Sequence, residues 1–205
     1  MHYTIIKFLY IAICLSVAIL SYNFCNSKKD CTFLVVALGF TLVADYFLVL
    51  RHNYVAGVFV FCFVQVAYIL RVSDIENGIK KNALKIASVI AVGTLFYLFF
   101  PNSLIILAAV YAALFAINLK AHISLLKEGH SPNIPQVNRR IMLAGIVLFA
   151  LCDIHVLIFN LNNYIPIPRA ITLWGQAGIW VFYVPSQFLL SVSAARWAKS
   201  LSSIN

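Results

Sequence analysis

The chain has 205 residues, of which 63% are hydrophobic and 10% are charged, and its formal net charge is +9. Soluble domains contain roughly 45–50% apolar and about 25% charged residues, so this chain has too few polar residues to cover a water-soluble globule. The composition therefore predicts an integral, multi-pass membrane protein and excludes most soluble enzymes. A basic chain often binds nucleic acid, but the distribution of charge described below explains the excess without a nucleic-acid partner.

Membrane-spanning helices need about 20 mostly apolar residues. Seven runs of this kind follow one another along the chain, at residues 3–22, 31–50, 53–72, 82–100, 102–122, 139–161 and 168–196. The first run lacks a signal-peptide cleavage site, so we interpret it as a retained helix. The sequence thus predicts an all-α fold, a polytopic bundle of about seven transmembrane helices that forms a single domain over residues 1–205.

The basic side chains are divided unevenly between the two ends of the predicted helices. Of the 15 Lys and Arg residues, only Lys7, Arg51 and Arg169 fall on one side. The remaining 12 are Lys28, Lys29, Arg71, Lys80, Lys81, Lys85, Lys120, Lys127, Arg139, Arg140, Arg196 and Lys199. Because cytoplasmic loops carry the excess of Lys and Arg, we predict an outside N-terminus and a cytoplasmic C-terminus. The cell membrane is the expected location if the chain is bacterial.

The five cysteines, at positions 14, 25, 31, 62 and 152, form no CxxC motif. Three of them lie inside apolar runs, where cysteine behaves as a small packing residue. We therefore expect reduced cysteines rather than a disulfide framework or a metal site.

Two aspartates lie inside predicted spans, where ionisable side chains are costly and usually functional. Asp45 and Asp153 come about five and about eight residues before the outer ends of the second and sixth spans, at depths of about 8 and 12 Å. This similar depth predicts one shared polar cavity. Alternatively, each carboxylate is satisfied separately, by Lys7 or by backbone and hydroxyl groups. Lys7 itself either snorkels to the interface or pairs with Asp45 or a phosphate.

Other polar side chains lie on helix faces from which they can donate hydrogen bonds to a buried carboxylate. They are Gln65 and Tyr68 on the third span, Asn160 on the sixth, and Tyr183 and Gln187 on the seventh. Each set by itself is more typical of packing between helices than of a ligand site. We treat these residues as candidates for binding substrate or supporting the aspartates.

Two aspartates in a low-dielectric cavity rarely ionise together, which leaves a neutral acid beside a charged carboxylate. Such a pair suits hydrolysis of an acid-labile ether, because one group protonates the substrate and the other stabilises the cation or activates water. Motifs such as GxSxG and HExxH are absent from the sequence, so serine or zinc-protease chemistry has no support. We expect no cofactor and no metal.

The chain resembles the YhhN family of membrane proteins, whose characterised members are lysoplasmalogenases. The resemblance lies in an early helix opened by Lys7, small residues before Asp45, G-x-x-x-F-x-x-x-D from Gly145 to Asp153, and Y-x-x-x-Q-F-L-L from Tyr183 to Leu190. It implies that Asp45 and Asp153 are catalytic, and that Lys7 and Gln187 support them. It also implies a lysophospholipid substrate within the bilayer, a lysoplasmalogen whose vinyl ether bond is hydrolysed.

Two features depart from the family pattern. Many relatives have a histidine where this chain has Gln65, and many have eight helices. Glutamine cannot transfer a proton as histidine does, so a catalytically inactive family member is one alternative. A small proton-coupled transporter is another, because intramembrane carboxylates also serve proton relays. A retinal protein needs a lysine midway along its last helix, and this chain has none between residues 170 and 195. A zinc hydrolase of the membrane type needs an HxxxH pair, which this chain also lacks, although Asp45 and His52 share a helix face.

Overall fold

The computed structural model describes residues 2–73, 104–127 and 134–196, together with residues 87, 90 and 91. Its six long helices are α1 (His2–Leu20), α2 (Lys28–Asp45), α3 (Tyr54–Val72), α4 (Leu104–Lys127), α5 (Gln136–Leu161) and α6 (Arg169–Val192). A 3-10 turn at Ser21–Phe24 follows α1, and a π-helical turn at Tyr46–Leu50 follows α2. The described residues contain no strand, which confirms the all-α prediction for that part of the chain.

Five described segments are long and apolar enough to cross a membrane: Ile5–Phe24, Lys28–Leu50, Tyr54–Val72, Leu104–Lys127 and Gln136–Leu161. They correspond to the first, second, third, fifth and sixth predicted spans. The predicted fourth span, 82–100, lies outside the described residues. The helix α6 corresponds to the predicted seventh span, but it is not among the five segments that are apolar enough to cross a membrane.

The described helices form a ring, because each packs against its neighbour in the sequence and α1 packs against α6. Helices α3 and α4 run in the same direction: Phe61 makes an edge-on contact with Tyr111 in the first half of both helices. Towards the end of both, Val72 packs against the buried cluster that contains Leu125. Val72 and Leu104 therefore lie at opposite ends of the bundle.

Helices α5 and α6 pack closely, with glycines at points of close approach. A Cβ atom added at Gly145 would crowd Leu190, and one added at Gly178 would overlap the His155 ring. The Ser186 hydroxyl on α6 donates to the Gly145 carbonyl at 2.9 Å. Small residues of this kind let membrane helices approach closely, and they fix Asp153 on α5 relative to Tyr183 on α6.

One end of the bundle, here called the basic end, holds Lys28, Arg71, Lys127, Arg139 and Arg196. A buried ion pair joins two helices there, with Arg71 Nε 2.6 Å from Asp30 Oδ1. The second guanidinium nitrogen, Nη2, donates to Ser193 Oγ just after α6, at 2.8 Å. Arg71 of α3 thus contacts α2 through Asp30 and the end of α6 through Ser193.

Cys25 and Cys31 form a disulfide, so the expectation that every cysteine is reduced is wrong for this pair. Cys14, Cys62 and Cys152 are free. Their positions explain the difference, because Cys25 lies in the break between α1 and α2 and Cys31 in the first turn of α2, whereas the free cysteines lie deeper within helices. The 3-10 turn there brings the Cα atoms of the pair to 6.3 Å, a separation that a disulfide can span.

Candidate active site

Asp45, the last residue of α2, is fully buried, with 0% of its surface exposed. The Lys7 ammonium on α1 lies 3.0 Å from Asp45 Oδ1, and the Tyr183 hydroxyl on α6 donates a hydrogen bond to Oδ2. Lys7 Nζ also lies 4.3 Å from the centre of the Tyr183 ring. Of the two interpretations of Lys7, the structure supports pairing with Asp45. Three helices thus surround one carboxylate with a cation and a hydroxyl donor.

The helix changes its winding immediately after Asp45. Residues Tyr46–Leu50 form a π-helical turn, which is closed by a hydrogen bond from the Arg51 N–H to the Tyr46 carbonyl. Such turns are rare in proteins and often occur at functional sites. His52, which shares a face with Asp45 in a regular helix, is exposed after this turn and has a φ of 51°. The π turn thus removes His52 from the helix that carries Asp45.

The second aspartate has a different set of partners. The Tyr111 hydroxyl on α4 donates to Asp153 Oδ2 at 2.6 Å. Gln65 Nε2 donates to the Tyr111 oxygen at 3.1 Å, and Asn118 Nδ2 donates to Gln65 Oε1 at 2.7 Å. Every donor in this sequence points towards Asp153, so each hydrogen bond polarises the next. We call this row of three hydrogen bonds the donor chain.

The two carboxylates lie in one region of the interior although their direct partners differ. The Cys152 thiol, next to Asp153, donates to the Ile179 carbonyl at 3.6 Å, one turn before Tyr183 on α6. Cys152, Tyr183 and Ala44, the residue before Asp45, belong to one buried cluster. We refer to Lys7, Asp45, Tyr111, Asp153 and Tyr183 together as the aspartate cluster. It combines the two expectations from the sequence, because each aspartate has its own hydrogen-bond partners while both share one region of the interior.

The structure positions the predicted supporting residues differently. Lys7 and Tyr183 contact Asp45 directly, and Gln65 reaches Asp153 through Tyr111. Gln187 and Tyr68 are fully buried within one helical turn of Tyr183 and Gln65. Asn160 is not brought to the cluster. Its side chain is half-exposed and donates to the Val156 carbonyl of its own helix at 2.8 Å.

Two members of this site, Tyr111 and Asn118, were not identified from the sequence. Together with His122 they lie on one face of α4, at the spacing i, i+7 and i+11. Their signal was the same kind of polar stripe that identified Tyr183 and Gln187. The polar stripe of α4 is less distinctive in the sequence, because the fifth predicted span contains no acidic residue.

Comparison with known proteins agrees with the resemblance. The sequence profile described as the YhhN family matches residues 3–194. The matched stretch begins before Lys7 and ends after α6, so it contains the whole aspartate cluster. No curated protein and no solved structure matches the chain. Because the family profile covers nearly all of the sequence, the chain belongs to the YhhN family.

Proposed function

We propose that the chain is a membrane-embedded hydrolase of the lysoplasmalogenase type, which cleaves the vinyl ether bond of lysoplasmalogens. One observation carries the proposal: two aspartates from distant segments share one interior region but have unlike partners. Asp45 is paired with the Lys7 ammonium at 3.0 Å. No Lys or Arg within residues 2–73, 104–127 and 134–196 forms an ion pair with Asp153. Family membership supports the choice of substrate class.

The unlike partners suit the two aspartates for different roles. Asp45 accepts a charge-assisted hydrogen bond from the Lys7 ammonium. Asp153 is half-buried, and its direct partner is the neutral Tyr111 hydroxyl. A carboxyl group without a cation in such a setting is suited to be the neutral acid. We therefore assign Asp153 as the proton donor and Asp45 as the carboxylate that stabilises positive charge.

The reaction begins when the Asp153 carboxylic acid transfers its proton to the vinyl carbon remote from the ether oxygen. This forms an oxocarbenium ion, whose positive charge the Asp45 carboxylate stabilises. Water then adds to the oxocarbenium carbon and returns a proton to Asp153, which gives a hemiacetal. The hemiacetal breaks down to a fatty aldehyde and a glycerophospho-alcohol, with its hydroxyl proton passing to the glycerol oxygen.

Aromatic side chains surround the donor side of the site. Phe61 and Phe115 contact the Tyr111 ring, with centroid distances of 6.0 and 6.1 Å. Phe149 contacts both phenylalanines, at 5.9 and 5.8 Å. An apolar environment of this kind strengthens electrostatic interactions with a reacting cation and limits its side reactions. It also suits an alkenyl chain that enters from the bilayer.

The experiment is a measurement of aldehyde release from lysoplasmenylethanolamine by detergent-purified protein, with an acyl lysophospholipid as the control substrate. We expect Asp45→Asn and Asp153→Asn each to reduce turnover by about 10²–10⁴-fold, the usual contribution of a positioned acid or base. Asp74→Asn, in a predicted loop, is the matched control and should retain activity. Unchanged turnover in both aspartate variants would refute the mechanism.

A further inference from the structure

A set of polar atoms in the bundle interior is not used by the proposed reaction. Within the described residues, six buried side-chain atoms have no hydrogen-bond partner: Tyr68 Oη, Arg71 Nη1, Asn118 Oδ1, His122 Nε2, and Nε2 and Oε1 of Gln187. All five side chains are at most 2% exposed. Proteins leave few buried polar atoms unpaired. Internal water molecules usually bind such atoms, each making about three hydrogen bonds.

One end of this set adjoins the aspartate cluster. Gln187 lies one turn after Tyr183 on the buried face of α6, and both are fully buried. Asn118 donates to Gln65, which in turn donates to Tyr111. The unpaired oxygen of Asn118 therefore lies next to the donor chain that ends at Asp153. The unpaired amide of Gln187 lies one turn from Tyr183, which donates to Asp45.

The other end reaches the basic end of the bundle. Tyr68 and Arg71 lie three residues apart on the buried face of α3, and His122 lies on the buried face of α4 one turn before Leu125. Val72 packs against the buried cluster that contains Leu125, so these parts of α3 and α4 face each other. His122 Nδ1 is hydrogen-bonded to the Asn118 carbonyl at 3.0 Å, which leaves Nε2 as its unpaired atom. Arg71 is the next-to-last residue of α3, and its ion pair with Asp30 lies at the basic end.

We propose that Tyr68, Arg71, Asn118, His122 and Gln187 bind a file of internal water molecules that connects the aspartate cluster with the basic end. The binding site stands on the unpaired atoms, whereas its role rests on the proposed function. Hydrolysis consumes one water molecule per substrate at a site that is enclosed by helices. The file supplies that water from the end of the bundle where the basic residues predict the cytoplasm.

Hydroxyl-radical footprinting of the purified protein in nanodiscs tests the file, because radicals formed from internal water oxidise the side chains beside it. We expect oxidation of Tyr68 and His122 despite their burial. Phe149, which is 1% exposed and surrounded by aromatic rings, is the internal control and should stay unmodified. Oxidation of Tyr68 and His122 no greater than that of Phe149 would overturn the proposal.

A pair of variants links the file to a specific side chain. Gln187→Leu removes two unpaired polar atoms at similar volume and should lower the oxidation of Tyr68 several-fold. Gln176→Leu, the same substitution at an exposed position of α6, should not change it. Unchanged oxidation of Tyr68 in a folded Gln187→Leu variant would contradict the assignment. If that variant does not fold, the comparison with Phe149 in the wild-type protein still decides.

The two proposals can fail independently. Footprinting does not require turnover, so oxidised Tyr68 and His122 in a protein that releases no aldehyde would refute the hydrolase and support the water file. Aldehyde release that depends on both aspartates, without oxidation of Tyr68 and His122, would do the reverse. If both proposals hold, Gln187→Leu should lower kcat several-fold and leave KM unchanged, because the variant limits water rather than lipid.

Discussion

Tyr111 is a positioning residue for Asp153, because its hydroxyl donates to Oδ2 at 2.6 Å. We predict that Tyr111→Phe lowers kcat for aldehyde release by about tenfold, the effect of losing roughly 1.4 kcal/mol of hydrogen bonding in the transition state. KM should change little, since the hydroxyl does not contact the lipid in this assignment. Steady-state kinetics on the purified variant measure both quantities. Tyr164→Phe, at an exposed loop position, is the control.

A second residue-scale prediction concerns the ion pair of Lys7 and Asp45. Lys7→Met leaves a buried carboxylate without its cation, and breaking a buried pair in this way costs about 3–5 kcal/mol. The thermal unfolding midpoint in detergent should therefore fall. The double variant Lys7→Met with Asp45→Asn removes both charges and should recover most of the stability, but not the activity. A double variant as unstable as Lys7→Met would show that the ion pair is not the cause.

At the scale of helices, the close packing of α5 on α6 depends on Gly178. A Cβ atom there would overlap the His155 ring, which is itself held by Trp174 and Phe182 at centroid distances of 4.6 and 4.9 Å. We predict that Gly178→Ala destabilises the protein by about 1–3 kcal/mol, the usual cost of overpacking. The measurement is the thermal unfolding midpoint in detergent.

Gly39→Ala is the matched control for this prediction. Both glycines lie within helices, but a Cβ atom added at Gly39 meets nothing within 4 Å. Because alanine has the higher helix propensity, Gly39→Ala should keep or slightly raise the unfolding midpoint. Equal effects of the two substitutions would mean that contact with His155 does not limit the packing of α5 and α6.

At the scale of the whole molecule, the contacts place the start of α1 and the end of α6 at opposite ends of the bundle. Lys7, early in α1, lies beside Tyr183. Cys25, which follows α1, pairs through its backbone with Ala195, which follows α6. Helices α1 and α6 therefore run in the same direction. Combined with the bias of basic residues, this predicts an outside N-terminus and a cytoplasmic C-terminus. Fusing reporters active on only one side of the membrane to each terminus tests the prediction. Reporters that place both termini on one side would contradict it.

Several features of the fold and site could be predicted from the sequence because they depend on local properties. Apolar runs of sufficient length locate the membrane helices, and the cost of burying a charge singles out Asp45 and Asp153. Spacing along a helix identified Tyr183 and Gln187, since residues four apart share a face. The same reasoning also selected Asn160, whose side chain bonds to its own helix. Spacing alone does not say which face meets which neighbour.

The sequence by itself determined that this protein lies in a membrane, which residues form most of its helices, and that Asp45 and Asp153 lie within those helices. These properties follow from hydropathy and charge, which can be read from consecutive residues along the chain. Only the tertiary structure decided that Lys7 pairs with Asp45, that Tyr111 binds Asp153, and that Cys25 joins Cys31. Each of these contacts depends on how separate helices or a helix break are arranged in space. That arrangement results from packing between side chains far apart in the sequence, which no local pattern encodes.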